Sequence, residues 1–260
     1  MSVGLKFWAG AVPGAAAIAA MVAVAGCSGS HGGRAQGAGV DNSKLVEATT
    51  DSTVLKAPLD GNSSKPGDGT VLHPNTPQTV YERPGGAPIA RLPVTQLNSP
   101  TWTPVIASQT GWHQVLLPSR PNGATGWIAA NDSLQGAFTP YVVKVDLSDR
   151  RLILLKSNKP TGSWKVAVGG AATPTPVGRT FLLASLKPSR PGPSPLILPV
   201  GAHSQARDTI GGGPGTVALH GWPDRSVFGR ATTQGSVAVP EDALKALSLV
   251  PLGSLVLISN

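Results

Sequence analysis

The sequence of 260 residues contains a single cysteine, Cys27, and only 13% of its residues are charged. One thiol excludes an internal disulfide and any metal site built from several cysteines. Aromatic residues make up only 5% of the chain, whereas glycine (32) and proline (25) are abundant. Because glycine and proline interrupt long helices, this composition favours short β-strands joined by many turns.

The charged residues that are present leave a formal net charge of +8. They are scattered and form no basic run, so we expect no binding of nucleic acid. A diffuse positive charge suits an anionic polymer or a membrane surface, and colloidal solubility alone would explain it equally well. The histidines have no acidic partner at ligand spacing, so neither a metal ion nor another cofactor is expected.

Residues 1–27 have the pattern of a secretory signal peptide, with Lys6 ahead of an apolar stretch over residues 7–25. The segment ends in the residues Val24 to Cys27, which resemble a bacterial lipobox, where the cysteine becomes the lipidated first residue of the mature protein. The alternative is an uncleaved membrane anchor of about 20 residues. Both interpretations place the protein in the cell envelope, at the extracytoplasmic face of the cell membrane, and the first predicts lipidation of Cys27.

Residues 28–70 are rich in glycine, serine and aspartate and contain few large apolar side chains. This composition predicts a flexible tether between the membrane and the folded part of the chain. Residues 44–58, which include a few apolar side chains, either order locally or belong to the tether.

Short apolar runs alternate with turn residues between positions 71 and 136, which predicts a small β-barrel. The predicted strands lie at residues 79–81, 89–92, 105–107, 113–117 and 126–129. The order of these runs, with Trp112 and Trp127 each following a glycine, resembles a bacterial SH3-like domain, a type that often contacts peptidoglycan. The tryptophans of this segment, Trp102 included, are candidates for a sugar or peptide platform or for packing in the barrel, and His113 is interpreted as structural.

Residues 140–260 predict a second, mostly β domain with one short helix. A hairpin is expected over residues 141–147 and 151–156, and residues 164–168 continue its sheet. The run at 216–219 delivers His220 at the end of a strand. A helix begins at Pro240 and stops before Pro251, and a strand at 254–259 closes the domain.

Residues 187–201 contain five prolines. Because proline has no backbone donor, this segment is expected to be a long exposed loop outside any sheet. Such a loop beside a site is either a lid or a simple insertion.

The second domain resembles the L,D-transpeptidase (YkuD-like) domain. The resemblance rests on the proline-rich run at 174–178, on His220-Gly221 and on the closing strand, in the order of that family. It implies a β-sandwich with a short helix, and an activity that transfers a peptidoglycan stem peptide through a cysteine acyl-enzyme. Together with the lipobox and the SH3-like segment, the architecture resembles actinobacterial cell-wall lipoproteins.

The family signature, Ser/Thr-His-Gly-Cys-Ile/Val-Arg, is only partly present at residues 233–238. Gln234 stands in place of the histidine, Ser236 in place of the nucleophilic cysteine, and Ala238 in place of the arginine. The resemblance implies that Ser236 occupies the nucleophile position and His220 that of the base. The remaining candidate substrate-binding residues are Gly221, Trp222, Thr233, Gln234 and Gly235.

Serine at position 236 changes the expected chemistry. A thiol has an ordinary pKa of about 8.5, whereas an alcohol ionises far less readily and needs a positioned base. The leading hypothesis is therefore a cell-wall lipoprotein that binds peptidoglycan stem peptides with impaired or altered catalysis, beside cell-wall enzymes as possible partners. The alternatives are an acyltransferase or peptidase that uses Ser236 and His220, with Asp224 or Asp208 orienting the imidazole, and an adaptor for a protein partner.

Overall fold

The computed structural model describes residues 44–209 and 215–260. The predicted signal peptide at 1–27, with Cys27, and the first part of the predicted tether lie outside these residues. No helix in the described part of the chain is long and apolar enough to cross a membrane.

The first half of the described chain forms a seven-stranded sheet in the order β3-β2-β8-β7-β6-β1-β9, with a separate small hairpin made of β4 and β5. All five strands that the sequence predicted here are confirmed. The SH3-like classification of the segment stays a prediction. The strands are β1 Thr70–Pro74, β2 Gln78–Tyr81, β3 Pro88–Leu92, β4 Thr95–Gln96, β5 Ser99–Pro100, β6 Thr103–Gln109, β7 Trp112–Leu116, β8 Thr125–Ala129 and β9 Leu134–Phe138.

Period-two alternation assigns the two faces of this first sheet. Val80, Val115 and Ile128 are fully buried on the core side. Tyr81 and Trp127 are register partners on the other face and are only partly buried. The tryptophans of this segment are therefore part of its surface as well as its packing.

The second half of the described chain forms a five-stranded sheet in the order β12-β11-β10-β19-β14, a three-stranded sheet in the order β15-β16-β18, and the pair β13-β17. The predicted hairpin and closing strand are confirmed as β10, β11 and β19. The elements are β10 Tyr141–Asp146, β11 Arg151–Lys156, β12 Lys159–Lys165, β13 Val168–Gly169, β14 Gly178–Phe181, β15 Ile197–His203, β16 Thr216–Gly221, β17 Ala231–Thr233, β18 Val237–Val239, α1 Glu241–Leu247 and β19 Leu255–Ser259.

The two larger sheets of this half pack face to face around one apolar core. Val143 and Leu152 come from the five-stranded sheet, Leu219 and Val237 from the three-stranded sheet, and Leu247 from α1 closes one end. All five side chains are essentially inaccessible to solvent. The fold class expected from the sequence, a mostly β protein whose second domain is a sandwich with one short helix, is therefore correct for the described residues.

The expectation that residues 187–201 lie outside any sheet is wrong for their last part, because residues 197–203 form β15. Pro199 is the register partner of Ala218. The missing N–H of Pro199 is tolerated because β15 is an edge strand of the three-stranded sheet. The Pro199 carbonyl accepts a hydrogen bond from the Leu183 N–H at 2.8 Å. Only the first part of the proline-rich segment is an exposed loop.

Residues 44–70 also differ from the flexible tether that their composition predicts. Ala48 and Val54 are buried in the core of the first sheet. The Val54 N–H donates to the Arg120 carbonyl at 2.9 Å, and the Asp60 N–H donates to the Gly123 carbonyl at 2.8 Å. The segment is therefore ordered by backbone hydrogen bonds to neighbouring loops and by a few apolar side chains in the core. Neither needs a largely apolar composition.

A buried ion pair fastens the same segment to the second domain. Arg179 on β14 donates to both carboxylate oxygens of Asp60, from Nε at 2.8 Å and from Nη2 at 2.7 Å. Its Nη1 donates to the Lys65 carbonyl at 2.9 Å. Each charged side chain is only 3% exposed. The pair is bidentate and charge-assisted, which is the strong geometry for an arginine and a carboxylate.

We predict that Asp60→Asn lowers the free energy of unfolding by about 3–5 kcal/mol, because it leaves the Arg179 cation buried without its counter-ion. Urea unfolding at pH 7 measures the change. The matched control is Glu47→Gln, which breaks a solvent-exposed pair with Arg91 and is expected to cost less than about 1 kcal/mol. Equal costs for the two variants would contradict the role of the buried pair.

His203 is a second buried contact between the segment and the second domain. Its side chain is 1% exposed, and its Nε2 donates to the Thr50 carbonyl at 2.8 Å. Asn122 brackets its backbone, accepting from the His203 N–H at 2.8 Å and donating to the His203 carbonyl at 2.7 Å. Burial lowers the pKa of His203 from 6.5 to about 4, although the bond to Thr50 opposes that shift.

This lowered pKa predicts a loss of stability in mild acid. Between pH 6.5 and about 4 the unfolded chain binds a proton on His203 that the folded protein does not, so the free energy of unfolding falls by about 3 kcal/mol across that window. Denaturant unfolding at several pH values measures the fall. His203→Gln should remove this part of the pH dependence, and parallel curves for the two proteins would contradict the prediction.

Candidate functional site

Two parallel strands set the geometry of the candidate site. Strands β16 and β18 pair with His220 opposite Ala238 and Leu219 opposite Val237. Since side chains alternate along a strand, Leu219 and Val237 enter the core and His220 and Ala238 share the opposite face. The His-Gly and Gly-Ser motifs are therefore adjacent in the fold, as the sequence predicted.

Ser236 lies two residues before Ala238 and therefore on the same face as His220. Its hydroxyl oxygen accepts a hydrogen bond from the Ala218 N–H at 3.2 Å, and the residue is 7% exposed. Ser236 thus sits beside Ala218 and diagonally from His220. In the part of the chain that the structure describes, no hydrogen bond joins the Ser236 hydroxyl to the His220 ring.

The His220 imidazole is held by its own strand end. Its Nδ1 donates to the Gly221 carbonyl at 3.0 Å, and the ring meets the edge of Trp222 with centroids 6.0 Å apart. Burial lowers the pKa of His220 below 6.5, and the bond to Gly221 opposes the shift. The imidazole is therefore neutral at pH 7, with Nε2 as an acceptor.

Neither aspartate that the sequence suggested as an orienting group serves that purpose. Asp224 accepts from both the N–H and the hydroxyl of Ser226, each at 2.9 Å, and caps a short 3-10 helix over Arg225–Val227. Asp208 is exposed, and among the described residues it makes no hydrogen bond to His220. Because a backbone carbonyl occupies Nδ1, the described residues contain no Ser-His-Asp triad around His220.

The loop before Ser236 is fixed by hydroxyl groups. The Thr233 hydroxyl donates to the Ser236 carbonyl and accepts from the Gly235 N–H at 3.3 Å. Thr173, from the loop after β13, donates to the Thr233 carbonyl at 3.0 Å. Gly235 has a φ of 105°, a conformation that side-chain-bearing residues rarely adopt. These contacts therefore fix the backbone before Ser236 without using the Ser236 side chain.

Ser194, in the proline-rich loop, supports the other half of the site. Its hydroxyl accepts from the Gly221 N–H at 2.7 Å and donates to the Leu196 carbonyl. A Cβ at Gly221 would meet a Leu244 methyl at 2.9 Å, so α1 packs closely against this glycine. The proline-rich loop is therefore fixed to the end of β16 at Ser194.

These residues surround a cleft of about 420 Å³. Five of the predicted site residues line it: His220, Trp222, Thr233, Gln234 and Ser236. Its other lining residues are Ala167, Val227, Thr232 and Ala238. Gly221 and Gly235 contribute backbone behind this surface. All the described lining residues are uncharged, and the exposed indole of Trp222 forms one wall.

The sequence interpretation missed Ser194 and Thr173 as supports of the site. The sequence gives little indication of their role, because each is a small polar residue next to proline. Their hydrogen-bond partners, Gly221 and Thr233, lie far away along the chain. Within the described residues, no group of three histidine, cysteine or acidic side chains is placed to hold a metal ion.

The second domain is similar in sequence to known proteins. Residues 140–258 match the family model YkuD, the L,D-transpeptidase catalytic domain. The YkuD protein of Bacillus licheniformis is 28% identical over 155 residues, which cover 56% of this chain and 86% of that protein. The second domain therefore matches the L,D-transpeptidase catalytic domain in sequence.

Solved structures of L,D-transpeptidases are similar to parts of the chain at low sequence identity. One from Mycobacterium smegmatis is 12% identical, with a TM-score of 0.41, and the match covers 61% of this chain and 82% of that one. The catalytic domain of the Enterococcus faecium enzyme is 20% identical, with a TM-score of 0.36, and the match covers 46% of this chain and 96% of that one.

We predict that Ser194→Ala lowers the free energy of unfolding by about 1–3 kcal/mol, because it leaves the buried Gly221 N–H without an acceptor. Thermal or urea unfolding measures this change. Ser226→Ala is the matched control, since Ser226 bonds only to the exposed Asp224, and we expect a change below about 0.5 kcal/mol. A control variant as destabilised as Ser194→Ala would contradict the prediction.

Proposed function

We propose that the second domain is an L,D-transpeptidase-family domain that binds peptidoglycan stem peptides without the cysteine transfer reaction of the family. The observation that carries the proposal is the state of Ser236. Its hydroxyl lies in the cleft but is bonded to the Ala218 N–H and not to a base. A cleft that keeps its shape while its nucleophile is unactivated is suited to binding.

The chemistry of position 236 supports this proposal. A cysteine is a few per cent thiolate at neutral pH without help, whereas a serine hydroxyl is a nucleophile only when a base removes its proton during attack. His220 is neutral, as a base must be, but it lies diagonally across the strand pair. The chain's only cysteine is Cys27 in the signal segment, so no other thiol can take the place of Ser236.

The shape of the cleft also favours a peptide ligand. Its volume of about 420 Å³ is in the range of small-molecule and peptide sites. Ala167, Val227 and Ala238 give it an apolar lining, while Gln234 and Thr232 contribute an amide group and a hydroxyl group to the same lining. An extended peptide carrying small side chains, such as the D-alanine end of a stem peptide, fits this combination.

The location and the partners of the protein belong to the same proposal. Lipidation of Cys27 would anchor the protein in the membrane at the extracytoplasmic face, and the SH3-like segment would add a second contact with peptidoglycan. Tyr81, Trp112 and Trp127 are partly exposed on one sheet face, with the Tyr81 and Trp112 rings 5.2 Å apart. Cell-wall enzymes are the protein partners that this placement suggests.

An active acyltransferase or peptidase is the second candidate function. The observation in its favour is that His220 and Ser236 line the same cleft and that the imidazole is neutral with Nε2 available. Catalysis would require the Ser236 hydroxyl to leave the Ala218 N–H and turn toward His220. The family's acyl intermediate would then be an ester on Ser236 in place of a thioester.

Replacing the hydroxyl by a thiol tests the proposal. We predict that Ser236→Cys, incubated with a tetrapeptide ending in D-alanine, forms a thioester with release of that D-alanine, because the thiolate needs less help from a base. The wild-type protein is expected to bind the same peptide and to gain no mass. Intact-protein mass spectrometry detects the adduct, and isothermal titration calorimetry detects the binding.

Ser108→Cys is the matched control, since it places an exposed thiol on β6, away from the cleft, and should form no adduct. An adduct on wild-type Ser236 that disappears in Ser236→Ala would overturn the proposal in favour of the second candidate. Absence of binding by the wild-type protein would refute both.

A further inference from the structure

The edge strands of the sheets differ in how their outer sides are protected. A free strand edge offers unpaired backbone N–H and carbonyl groups to any other strand, and proteins usually block it with a covering segment, lysine or proline. The larger sheets of the described chain end in the strands β3, β9, β12, β14, β15 and β18. All of these strands except β9 are protected.

Covering segments, charged residues or burial protect the other edges. Backbone hydrogen bonds from residues 46–48 cover β3, those from residues 183–186 cover β15, and Ala167 covers β18 by exchanging both backbone bonds with it. Strand β12 is exposed, but it carries lysine at both ends and a proline between them. Residues 179–181 of β14 are buried. These strands are therefore closed to pairing with another chain.

Strand β9 has none of these protections. Its sequence, Leu134-Gln135-Gly136-Ala137-Phe138, contains neither a charge nor a proline, and its last four residues are exposed. In the described part of the chain it pairs with β1 alone. The Phe138 side chain is 68% exposed, so an apolar ring lies at the open edge.

The free side of β9 presents the backbone groups of alternate residues. The Thr139 N–H donates to the Gly69 carbonyl at 2.9 Å, which fixes the positions of this ladder that bond to β1. Because bonded and non-bonded pairs alternate in an antiparallel ladder, the backbone groups of Leu134, Gly136 and Phe138 point away from β1. These outward groups can form a second ladder without breaking the first.

We propose that β9 pairs with β9 of a second copy of this chain, in antiparallel orientation and centred on Gly136. The edge has no charge that would select a different protein, whereas its residues are arranged symmetrically about Gly136, as a two-fold contact requires. The two Gly136 residues exchange both backbone bonds, and each Phe138 N–H donates to the Leu134 carbonyl of the other copy. The Leu134 N–H remains in its own turn, where it donates to the Asn131 carbonyl at 3.2 Å.

The same register gives the exposed Phe138 ring an apolar partner. It sets Phe138 opposite Leu134 on one face, and Gln135 opposite Ala137 on the other. Leu134 already packs against the core of the first sheet, so Phe138 of the second copy extends that core across the contact. Gly136 lies between them and has no side chain that would hold the two strands apart.

The pairing does not depend on the proposed function, but it would affect how that function is exercised. A dimer carries two clefts, and two linked sites bind a repeating polymer more tightly than one site does.

Sedimentation velocity of the full-length protein over a range of concentrations tests the proposal, in a mild detergent because residues 7–25 are apolar. We expect a monomer–dimer equilibrium with a dissociation constant on the order of 10–100 μM, since a contact along one short strand is smaller than a stable interface. Gly136→Lys should abolish the dimer, because it sets two like charges opposite each other at the two-fold axis. Gly192→Lys is the matched control, since it adds the same charge at an exposed glycine outside β9.

Gly136→Pro is a second disrupting variant. It removes the outward N–H and no bond to β1, so it should also abolish the dimer while the first sheet stays folded. Thermal unfolding of both Gly136 variants checks the fold. Wild-type protein that stays monomeric well above the expected range, or a dimer that persists in a folded Gly136 variant, would overturn the proposal.

A disulfide experiment tests the register. In a Cys27→Ser background, a mixture of Gln135→Cys and Ala137→Cys should give a linked dimer of the two variants under mild oxidation, because these residues face each other in the proposed ladder. Mass spectrometry identifies the product. A mixture in which Gly192→Cys replaces Ala137→Cys is the control, and equal yields from the two mixtures would contradict the register.

The proposed function can fail separately from this proposal. The Gly136→Lys monomer should bind the tetrapeptide as the wild-type protein does, because β9 contributes no residue to the cleft. Loss of peptide binding in this variant, with its fold intact, would contradict the separation of the two sites and with it the assignment of β9 to dimerisation alone.

Discussion

The register between the parallel strands β16 and β18 is the constraint on which the site depends. It places His220 opposite Ala238, and Ser236, two residues earlier on the same chain segment, lies beside Ala218, whose N–H donates to the Ser236 hydroxyl. Leu219 and Val237, on the other face of the same strands, are fully buried in the sandwich core. A slip of one residue would expose both, so the core itself enforces the geometry of the cleft.

Hydrogen bonds from neighbouring loops also fix the backbone of the site. Ser194 holds the Gly221 backbone, Thr173 holds Thr233, and each does so from a loop. Farther away, the Asp60–Arg179 pair and His203 bind residues 44–70 to the second domain. The two β modules also share a small apolar cluster that joins Leu116 of the first sheet to Leu255 of the second. These contacts connect the domain that contains the cleft to the first module.

The strands and the pairing of the two motifs could be predicted from the sequence, because alternation and turn residues are local signals. The hairpin at 141–156 and the helix that follows Pro240 are examples. The order of residues 44–70 could not, since Asp60 and Thr50 find their buried partners, Arg179 and His203, far away along the chain. Strand β15 was missed for a similar reason, as Pro199 is acceptable only at a strand position that needs no donor. The orienting role assigned to Asp224 failed because Ser226, two residues away, satisfies that carboxylate locally.

The central proposal is that the cleft binds a stem peptide while the hydroxyl of Ser236, which lines it, is unactivated. Two features support it: the Ser236 hydroxyl accepts a hydrogen bond from the Ala218 N–H, and among the described residues no hydrogen bond joins it to the His220 ring. The most direct measurement is a crystal structure of the protein with a tetrapeptide that ends in D-alanine. We predict an intact peptide in the cleft, with its D-alanine present and no bond to the Ser236 oxygen. Continuous density between that oxygen and a peptide that has lost its D-alanine would contradict the account.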